Sequence, residues 1–443
     1  MAASGVQPNR TGRATSLRTA VRHPRRCGEA SRWGCVTPGA LPSMMVTVWL
    51  LHTVRAKPQQ APIAMTPPPN KPMYRNLLPG DPAPWFVQRS TSNPRYAFDT
   101  AAGRYIVLCF FATAGDSQGR DTLASVIAHR KHFDDRRACF FGVSLDPADE
   151  RKGRVRESLP GLRFFWDFDG TVSRAYGSIP LESRPEGRLS PRRLWMVLDP
   201  TLRVLAVIPF AADGADRAAI FGLLESLPPP DRFAGFEVPA PVLVLPNVFQ
   251  PELCRTLLGL YETHGGEESG FMQEVNGKTV AAHDHAHKRR KDYTIDDPDL
   301  IKELQGRVQR RICPELLKVH CFKATRMERY IVSCYAAEDG GHFRPHRDNT
   351  TKGTAHRRFA VSINLNADFD GGEISFPEYG PRSFKPPPGG AVVFSCSLLH
   401  RVSKVTRGRR YAFLPFLYDE EAAKLREENN KFLGEGVGVY RLT

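Results

Sequence analysis

Residues 327 to 417 carry six short apolar runs, "MERYIVSCY", "RFAVSINLN", "GEISFPEYG", "RSFKPP", "AVVFSCSLLHRVSKV" and "RRYAFLPFL", with turn residues between them and no helical stretch. Parallel strands need crossover segments of a dozen residues or more, so strands this closely spaced must pair antiparallel, as a sandwich or barrel. Two helices flank the set on its N-terminal side. "FQPELCRTLLGLYETH" (249 to 264) and the longer "DPDLIKELQGRVQRRICPELLKVH" (297 to 320) both show helical spacing of apolar residues.

The first half of the chain has another rhythm. "GRYIVLCFFAT" (103 to 113) and "ACFFGVSLD" (138 to 146) read as buried strands, separated by an amphipathic helix at "TLASVIAHRKHF" (122 to 133). "LRFFWDFDG" (162 to 170), "SRAYGS" (173 to 178) and "RRLWMVLDPTLRVLAVIPF" (192 to 210) add a strand, a turn and a hairpin. Strands alternating with helical stretches imply a central sheet with helices on its faces. The Pro-rich change of pattern after "LESLPPPDRF" places a linker at 229 to 236.

Charge is informative only when located. The net charge is +15, but residues 1 to 64 hold nine Arg or Lys against Glu29 alone, so +8 of it lies there. The remaining +7 is spread too thinly for a nucleic-acid surface. Residues 1 to 70 are rich in Arg, Ser, Pro and Gly and lack periodicity, and we read them as a disordered extension. Its one apolar run, "MMVTVWLLHTV", falls short of the roughly 20 residues that span a bilayer. The Arg-rich start also has the texture of a signal or transit segment, though no A-x-A site follows closely. The simplest reading is that translation starts at Met65. Nine cysteines without C-x-x-C or regular spacing fit a reducing, cytoplasmic compartment.

The segment "HFRPHRDN" (342 to 349) raises a chemical question. Its His346-x-Asp348 pair alone is as compatible with a polar turn as with a metal site. His400 follows 54 positions after His346, and Arg410 follows ten positions later on the next strand. Two histidines and one carboxylate on one face of an octahedral metal leave three positions open, the arrangement of non-haem Fe(II) oxygenases. A 2-oxo acid could fill two of them, and its far carboxylate would need a guanidinium, for which Arg410 is the candidate. Tyr335, on "RYIVSCY", could add a hydroxyl. His342 reads as solvent-facing or as support. His283, His285 and His287 alternate in "HDHAHKRRKDY", which on a strand would share one face; beside four cations they read as a solvated or substrate-facing strand rather than a metal clamp. Arg357 and Arg358 read as ordinary cationic positions, one of them a candidate to reach substrate.

The constellation "YAAEDGGHFRPHRDN", "GGEISFPE", "PPGGAVVFSCSLLH" and "RVSKVTRGRRYA", over about residues 326 to 418, is similar to the 2-oxoglutarate and Fe(II)-dependent dioxygenases of the prolyl 4-hydroxylase-like group. That resemblance implies a double-stranded β-helix, or jelly-roll. It implies iron on His346, Asp348 and His400, 2-oxoglutarate on Tyr335 and Arg410, and L-ascorbate as a candidate cofactor. It also implies hydroxylation of a peptidyl or amino-acid-like substrate, with release of succinate and carbon dioxide. Many relatives have Lys where this chain has Arg410. "LLPGDPAPWF", "FFGVSLDP", "YGS" and "VLDP" resemble the thioredoxin-like fold of peroxiredoxins, the alkyl hydroperoxide reductase and thiol-specific antioxidant group, over about 76 to 228. Where that group carries its attacking Cys, this chain reads "AGDSQGRD" (114 to 121), and neither Ser117 nor Gln118 can act as a thiolate.

The expected organisation is thus an extension (1 to 70), an α/β thioredoxin-like domain (76 to 228), a linker (229 to 236), a dioxygenase domain with flanking helices (237 to 420) and a C-terminal tail (421 to 443). A thiol-based peroxidase and a non-catalytic iron or oxygen sensor are the alternatives, and the thiol-less domain is a candidate surface for a protein partner. Neither nucleic acid nor membrane is expected as a partner. A chain begun at Met65 should keep its melting temperature and its iron-dependent activity; a drop of several degrees would show that the extension packs on the folded part.

Overall fold

The computed structural model describes residues 73–182, 191–434 and 437–441. The expectations for residues 1–70 lie outside the described residues. No described helix is long and apolar enough to cross a membrane.

The N-terminal part is a five-stranded sheet in the order Leu162–Trp166, Ala138–Ser144, Tyr105–Ala112, Leu194–Leu198, Val204–Pro209. The first three strands run parallel, Leu194–Leu198 is antiparallel to Tyr105–Ala112, and Val204–Pro209 returns antiparallel to Leu194–Leu198. All eight residues of Tyr105–Ala112 are buried, because the alternation of a strand sends Ile106, Leu108 and Phe110 to one apolar layer and Tyr105, Val107, Cys109 and Phe111 to the other. This is the thioredoxin-like α/β arrangement that the sequence implied.

Two element readings need correction here. The helix placed at 122 to 133 spans Ser117–Ala128, and a short 3₁₀ turn covers Arg130–His132. Its earlier start follows from Asp116, whose side chain accepts from the Gly119 amide and caps the first turn. "SRAYGS" is not a turn alone; Thr171–Ala175 is one helical turn whose entry rests on Asp167 accepting from the Val172 and Ser173 amides.

In the C-terminal part every strand pairing is antiparallel. A ten-stranded sheet includes Ile331–Ala336, Phe359–Asn364, Ala391–Ser395 and Arg407–Phe413. A five-stranded sheet runs Lys288–Arg289, His342–His346, His400–Val402, Ile374–Ser375, Ser383–Phe384. Between them lies an apolar cluster with Phe343, Ile374 and Val402 from the small sheet and Tyr335, Val392 and Phe394 from the large one. The outer face of the large sheet is covered by helices Pro251–His264, Pro298–Arg311 and Cys313–His320, through Leu257, Tyr261, Leu304, Val308 and Leu316.

Three more readings change. The single helix expected at 297 to 320 is two, meeting at Ile312, because Pro314 lacks the amide that would continue the ladder. "AVVFSCSLLHRVSKV", taken as one run, is two strands in different sheets, and His400 begins the second. His346, in a segment that alone was compatible with a polar turn, is the last residue of the strand His342–His346.

The seven described cysteines are all free. Burial pushes the Cys109 thiol far up and that of Cys139 up to about 12. At the helix N-terminus where a peroxidatic thiolate would sit, the Asp116 carboxylate is instead held by Arg193 Nη1 at 2.9 Å. The native chain should therefore consume no hydrogen peroxide with a thioredoxin supply, and Cys109 and Cys139 should resist an aromatic disulfide reagent until the chain is unfolded. Labelling of either in the folded protein would show that a buried thiol is reachable.

Candidate active site

Antiparallel register assembles the first group. His346 and His400 are direct cross-strand partners in the small sheet. Asp348 follows two residues after His346, on the same side of an extended chain, and its amide donates to the Cys396 carbonyl at 2.9 Å. The three side chains converge, with one ligand atom from each lying within 4.8 Å of the others. His346 Nε2 is 3.6 Å from Asp348 Oδ1, and His400 Nε2 is 3.3 Å from Oδ2.

The far side of each ring fixes its orientation. His346 Nδ1 lies 2.7 Å from the Arg344 carbonyl and His400 Nδ1 3.0 Å from that of Leu398. A carbonyl only accepts, so each Nδ1 carries the proton and each Nε2 presents a lone pair to Asp348. Phe343 stacks on His346 at 3.4 Å between centroids, and Phe394 packs on His400 at 4.6 Å. Burial, with His400 alongside, lowers the His346 pKa to about 4 and keeps the ring neutral. Burial works against the charged form of Asp348, and positive charge brought to Nε2 of His400 or His346, by a proton or a cation, favours its carboxylate.

The second group comes from the large sheet, where Tyr335 and Arg410 are direct cross-strand partners. Both are 1% exposed. Arg410 donates from Nε to Asn364 Oδ1 at 3.0 Å and from Nη2 to Ser362 Oγ at 2.8 Å, both neutral acceptors. Its Nη1 has no hydrogen-bond partner, and no carboxylate among the described residues pairs with it. Burial, reinforced by neighbouring Arg290, pulls its pKa down to about 10. Tyr335 lies beneath the guanidinium and accepts at Oη from Arg290 Nη1 at 3.4 Å.

Lys288 and Arg290 went unrecognised in the sequence reading. "HDHAHKRRKDY" is not one strand: residues 283 to 287 form a turn, and only from Lys288 does the chain extend. Lys288 and Arg290 then point inward at 5% and 7% exposure, while Arg289 and Lys291 face out. The two-residue period of K-R-R-K was the available signal. Lys288 Nζ donates to Ser269 Oγ at 2.8 Å and the Gly270 carbonyl at 2.6 Å, and burial lowers its pKa far below the usual value. The three histidines do not converge. His285 meets Glu268, His287 packs between Phe271 and Phe343, and His283 is exposed. His342 is turned to the Gly340 and Ala286 carbonyls, outside the converging group.

A cavity of about 660 Å³ reaches His346 and Asp348. Its walls include Phe271 and Met272 of the hairpin Phe271–Ala282, Lys288, Arg357, and Val87 and Thr100 from the N-terminal part. Arg357 also donates to Glu328 at 2.7 Å, whereas Arg358 is spent on the Ala355 carbonyl.

Residues 330–418, the stretch that builds both groups, match the model of the 2OG-Fe(II) oxygenase superfamily. They form a 2OG-Fe(II) oxygenase domain. Residues 79–206 match the AhpC/TSA family. The PKHD-type hydroxylase PiuC of Pseudomonas aeruginosa is 28% identical over 178 residues, which are 38% of this chain and 77% of that protein. Among solved structures, a prolyl hydroxylase of Trichoplax adhaerens in complex with a hypoxia inducible factor peptide aligns with 42% of this chain and 86% of its own, at 19% identity and a TM-score of 0.34. Peroxidoxin BcpB of Mycobacterium tuberculosis aligns with 34% of this chain and 99% of its own, at 21% identity and a TM-score of 0.30. The oxygenase domain makes the protein an oxidoreductase of the dioxygenase class, and the family implies Fe(II) and 2-oxoglutarate.

Asp292 is the carboxylate that steadies the cations behind the site. It accepts from Arg290 at 2.6 Å, Arg329 at 3.3 Å and Ser333 at 2.6 Å, and these arginines together with Lys288 outweigh burial to hold it below the usual range. Asp292→Asn should cost about 3–5 kcal/mol of stability at pH 7, because it strands buried guanidinium charge. A depressed carboxylate stabilises above its unfolded pKa of about 4 and loses that contribution as pH falls, so the deficit should narrow below about pH 4. Urea unfolding of both proteins over that range checks this; a deficit that stays constant with pH would contradict it.

Proposed function

We propose that the protein is an Fe(II)- and 2-oxoglutarate-dependent hydroxylase of a peptidyl or amino-acid-like substrate, releasing succinate and carbon dioxide. The observation that carries this reading is the guanidinium of Arg410: fully buried, partnered by neutral groups alone, and with Nη1 unpartnered, it calls for an anion. A dicarboxylate whose far end meets Arg410 would supply it. The residues fit both groups the family implies. His346 and His400, with protons fixed on Nδ1, offer Nε2, and Asp348 offers an oxygen, so together they would hold the metal. Arg410 and the Tyr335 hydroxyl would hold the distal carboxylate of the cosubstrate.

The chemistry supplied when both are bound is oxidative decarboxylation of the cosubstrate to succinate, coupled to insertion of the other oxygen atom of O2 into a substrate C–H bond. The chain's own part is positional. Phe343 and Phe394 lock the imidazoles and keep water from their faces, and Asn364 and Ser362 aim the guanidinium. The cavity wall around Phe271 and Lys288 presents the substrate to His346 and Asp348. Lys288, buried and in no ion pair among the described residues, is suited to donate to a substrate carboxylate or carbonyl.

Anaerobic iron titration run beside 2-oxoglutarate-dependent succinate formation tests the assignment. His346→Ala, Asp348→Ala and His400→Ala should each lose most Fe(II) binding, and His342→Ala should keep it. Arg410→Ala should still bind Fe(II) while its requirement for 2-oxoglutarate rises about 30-fold to 1000-fold, the equivalent of about 2–4 kcal/mol for a buried charge-assisted pair. Arg410→Lys should fall between. Unchanged 2-oxoglutarate affinity in Arg410→Ala, or full iron affinity in His400→Ala, would overturn the reading.

A further inference from the structure

Arg347 stands between two of the proposed ligands, His346 and Asp348. Strand alternation sends its side chain away from theirs, and it reaches the N-terminal part of the chain. Its side chain is 1% exposed. Nε donates to Asp99 Oδ2 at 3.0 Å, Nη2 to Glu378 Oε1 at 2.8 Å and Nη1 to Glu378 Oε2 at 3.2 Å, and Nη1 also meets the Ser397 carbonyl. The Trp85 ring caps the guanidinium at 4.2 Å. Asp99 and Trp85 both belong to the thioredoxin-like part.

The third ligand is approached in the same way. Leu399, the residue before His400, is fully buried in the apolar layer formed by Phe98, Ala101, Ala102 and Leu198 of the thioredoxin-like part. Its amide donates to Glu378 Oε2 at 3.0 Å, so one carboxylate ties the His346–Asp348 segment to the His400 segment. Gly103 fits directly against Pro377, where an added Cβ would come within 2.8 Å, so the two parts touch without a gap beside this network.

We propose that the thiol-less peroxiredoxin-like domain is the positioning clamp of the iron site: Asp99, Trp85 and the pocket for Leu399 hold Arg347 and Leu399, and through them set the spacing of His346, Asp348 and His400. The inference rests on those three being the metal ligands. A guanidinium with five donors in a rigid fork suits this task, since two carboxylates and a carbonyl fix its position and plane. Groups hydrogen-bonded to a metal's ligands typically carry 10-fold to 100-fold in metal affinity, and here the orientation is passed on through the backbone that Arg347 and Leu399 share with the ligands. Asp99, Arg347, Glu378 and Leu399 are positioning residues; none of them touches the reacting atoms. The domain's lost thiol has its explanation here, because a clamp needs the fold and its contact face but no nucleophile.

The test uses the full-length chain and two readouts, Fe(II) affinity measured anaerobically and the visible d–d spectrum of the Co(II)-substituted protein. Asp99→Asn keeps shape and removes charge. It should weaken Fe(II) binding about 10-fold or more and alter the Co(II) spectrum. Trp85→Ala, at a half-exposed ring, should weaken binding a few-fold, which keeps the test open if Asp99→Asn folds poorly. Because Asp99 acts through Arg347, adding Asp99→Asn to Arg347→Met should cost nothing further. Val126→Ala, in the opposite apolar layer of the same domain, should lower the melting temperature and leave both metal readouts unchanged. Wild-type affinity and spectrum in both Asp99→Asn and Trp85→Ala would overturn the clamp, as would an equal metal loss in Val126→Ala. His400→Ala serves as the reference: if it binds Fe(II) like the wild type, the ligand assignment falls and the clamp with it, whereas if it alone loses metal, only the clamp is wrong.

Discussion

The guanidinium of Arg347 is the interaction on which the rest of the site's geometry depends. It is buried with Asp99 on one side and Glu378 on the other, so no part of it can be satisfied by solvent. Removing one partner of such a buried pair costs about 3–5 kcal/mol, a large share of the roughly 5–15 kcal/mol that keeps a domain folded. Loss of either partner with the parts in contact would leave a charge stranded. That rigidity is delivered to the backbone between His346 and Asp348. Leu399 extends the same coupling by an apolar route, with burial of one leucine worth about 2 kcal/mol.

Behind the converging histidines the balance of charge runs the other way. Lys288, Arg290 and Arg410 are buried near one another with the half-buried Arg329, and Asp292 pairs with two of the four. Burial, with Arg290 close by, pulls Arg329 and Arg410 down to about 10, a sign that the fold tolerates more positive charge than it compensates. Such an imbalance is costly in an empty pocket and favourable once a dianion enters, so cosubstrate binding should stabilise the fold by mass action. Electrostatics thus links the packing of the large sheet to the choice of ligand.

Much of this was legible from local sequence. Closely spaced apolar runs without helices required an antiparallel two-sheet body, and the fully apolar "YIVLCFFA" required a strand covered on both faces. His346, Asp348 and His400 could be drawn together by their order and spacing, and Tyr335 and Arg410 by their strands. What escaped depends on pairing that local pattern does not encode. "AVVFSCSLLHRV" reads as one strand because apolar residues recur along it with no Gly or Pro to break it, yet the turn around Ser397 moves His400 to the other sheet. The inward alternation of Lys288 and Arg290 was masked by the histidines before it, which invited a single long strand. Arg347 looked like the arbitrary residue of a His-x-Asp motif, because its partners are 248 and 31 positions away.

The central claim is that the protein holds iron on His346, Asp348 and His400 together with 2-oxoglutarate on Arg410. Its most direct test is an anaerobic titration of 2-oxoglutarate into the Fe(II)-loaded full-length chain, followed by the visible metal-to-ligand charge-transfer absorption that arises only when the keto acid chelates the metal. The account predicts a saturable band at one equivalent per chain, absent in His400→Ala and shifted to much higher cosubstrate concentration in Arg410→Ala. No band in the iron-loaded wild type, or a band indifferent to both substitutions, would contradict it.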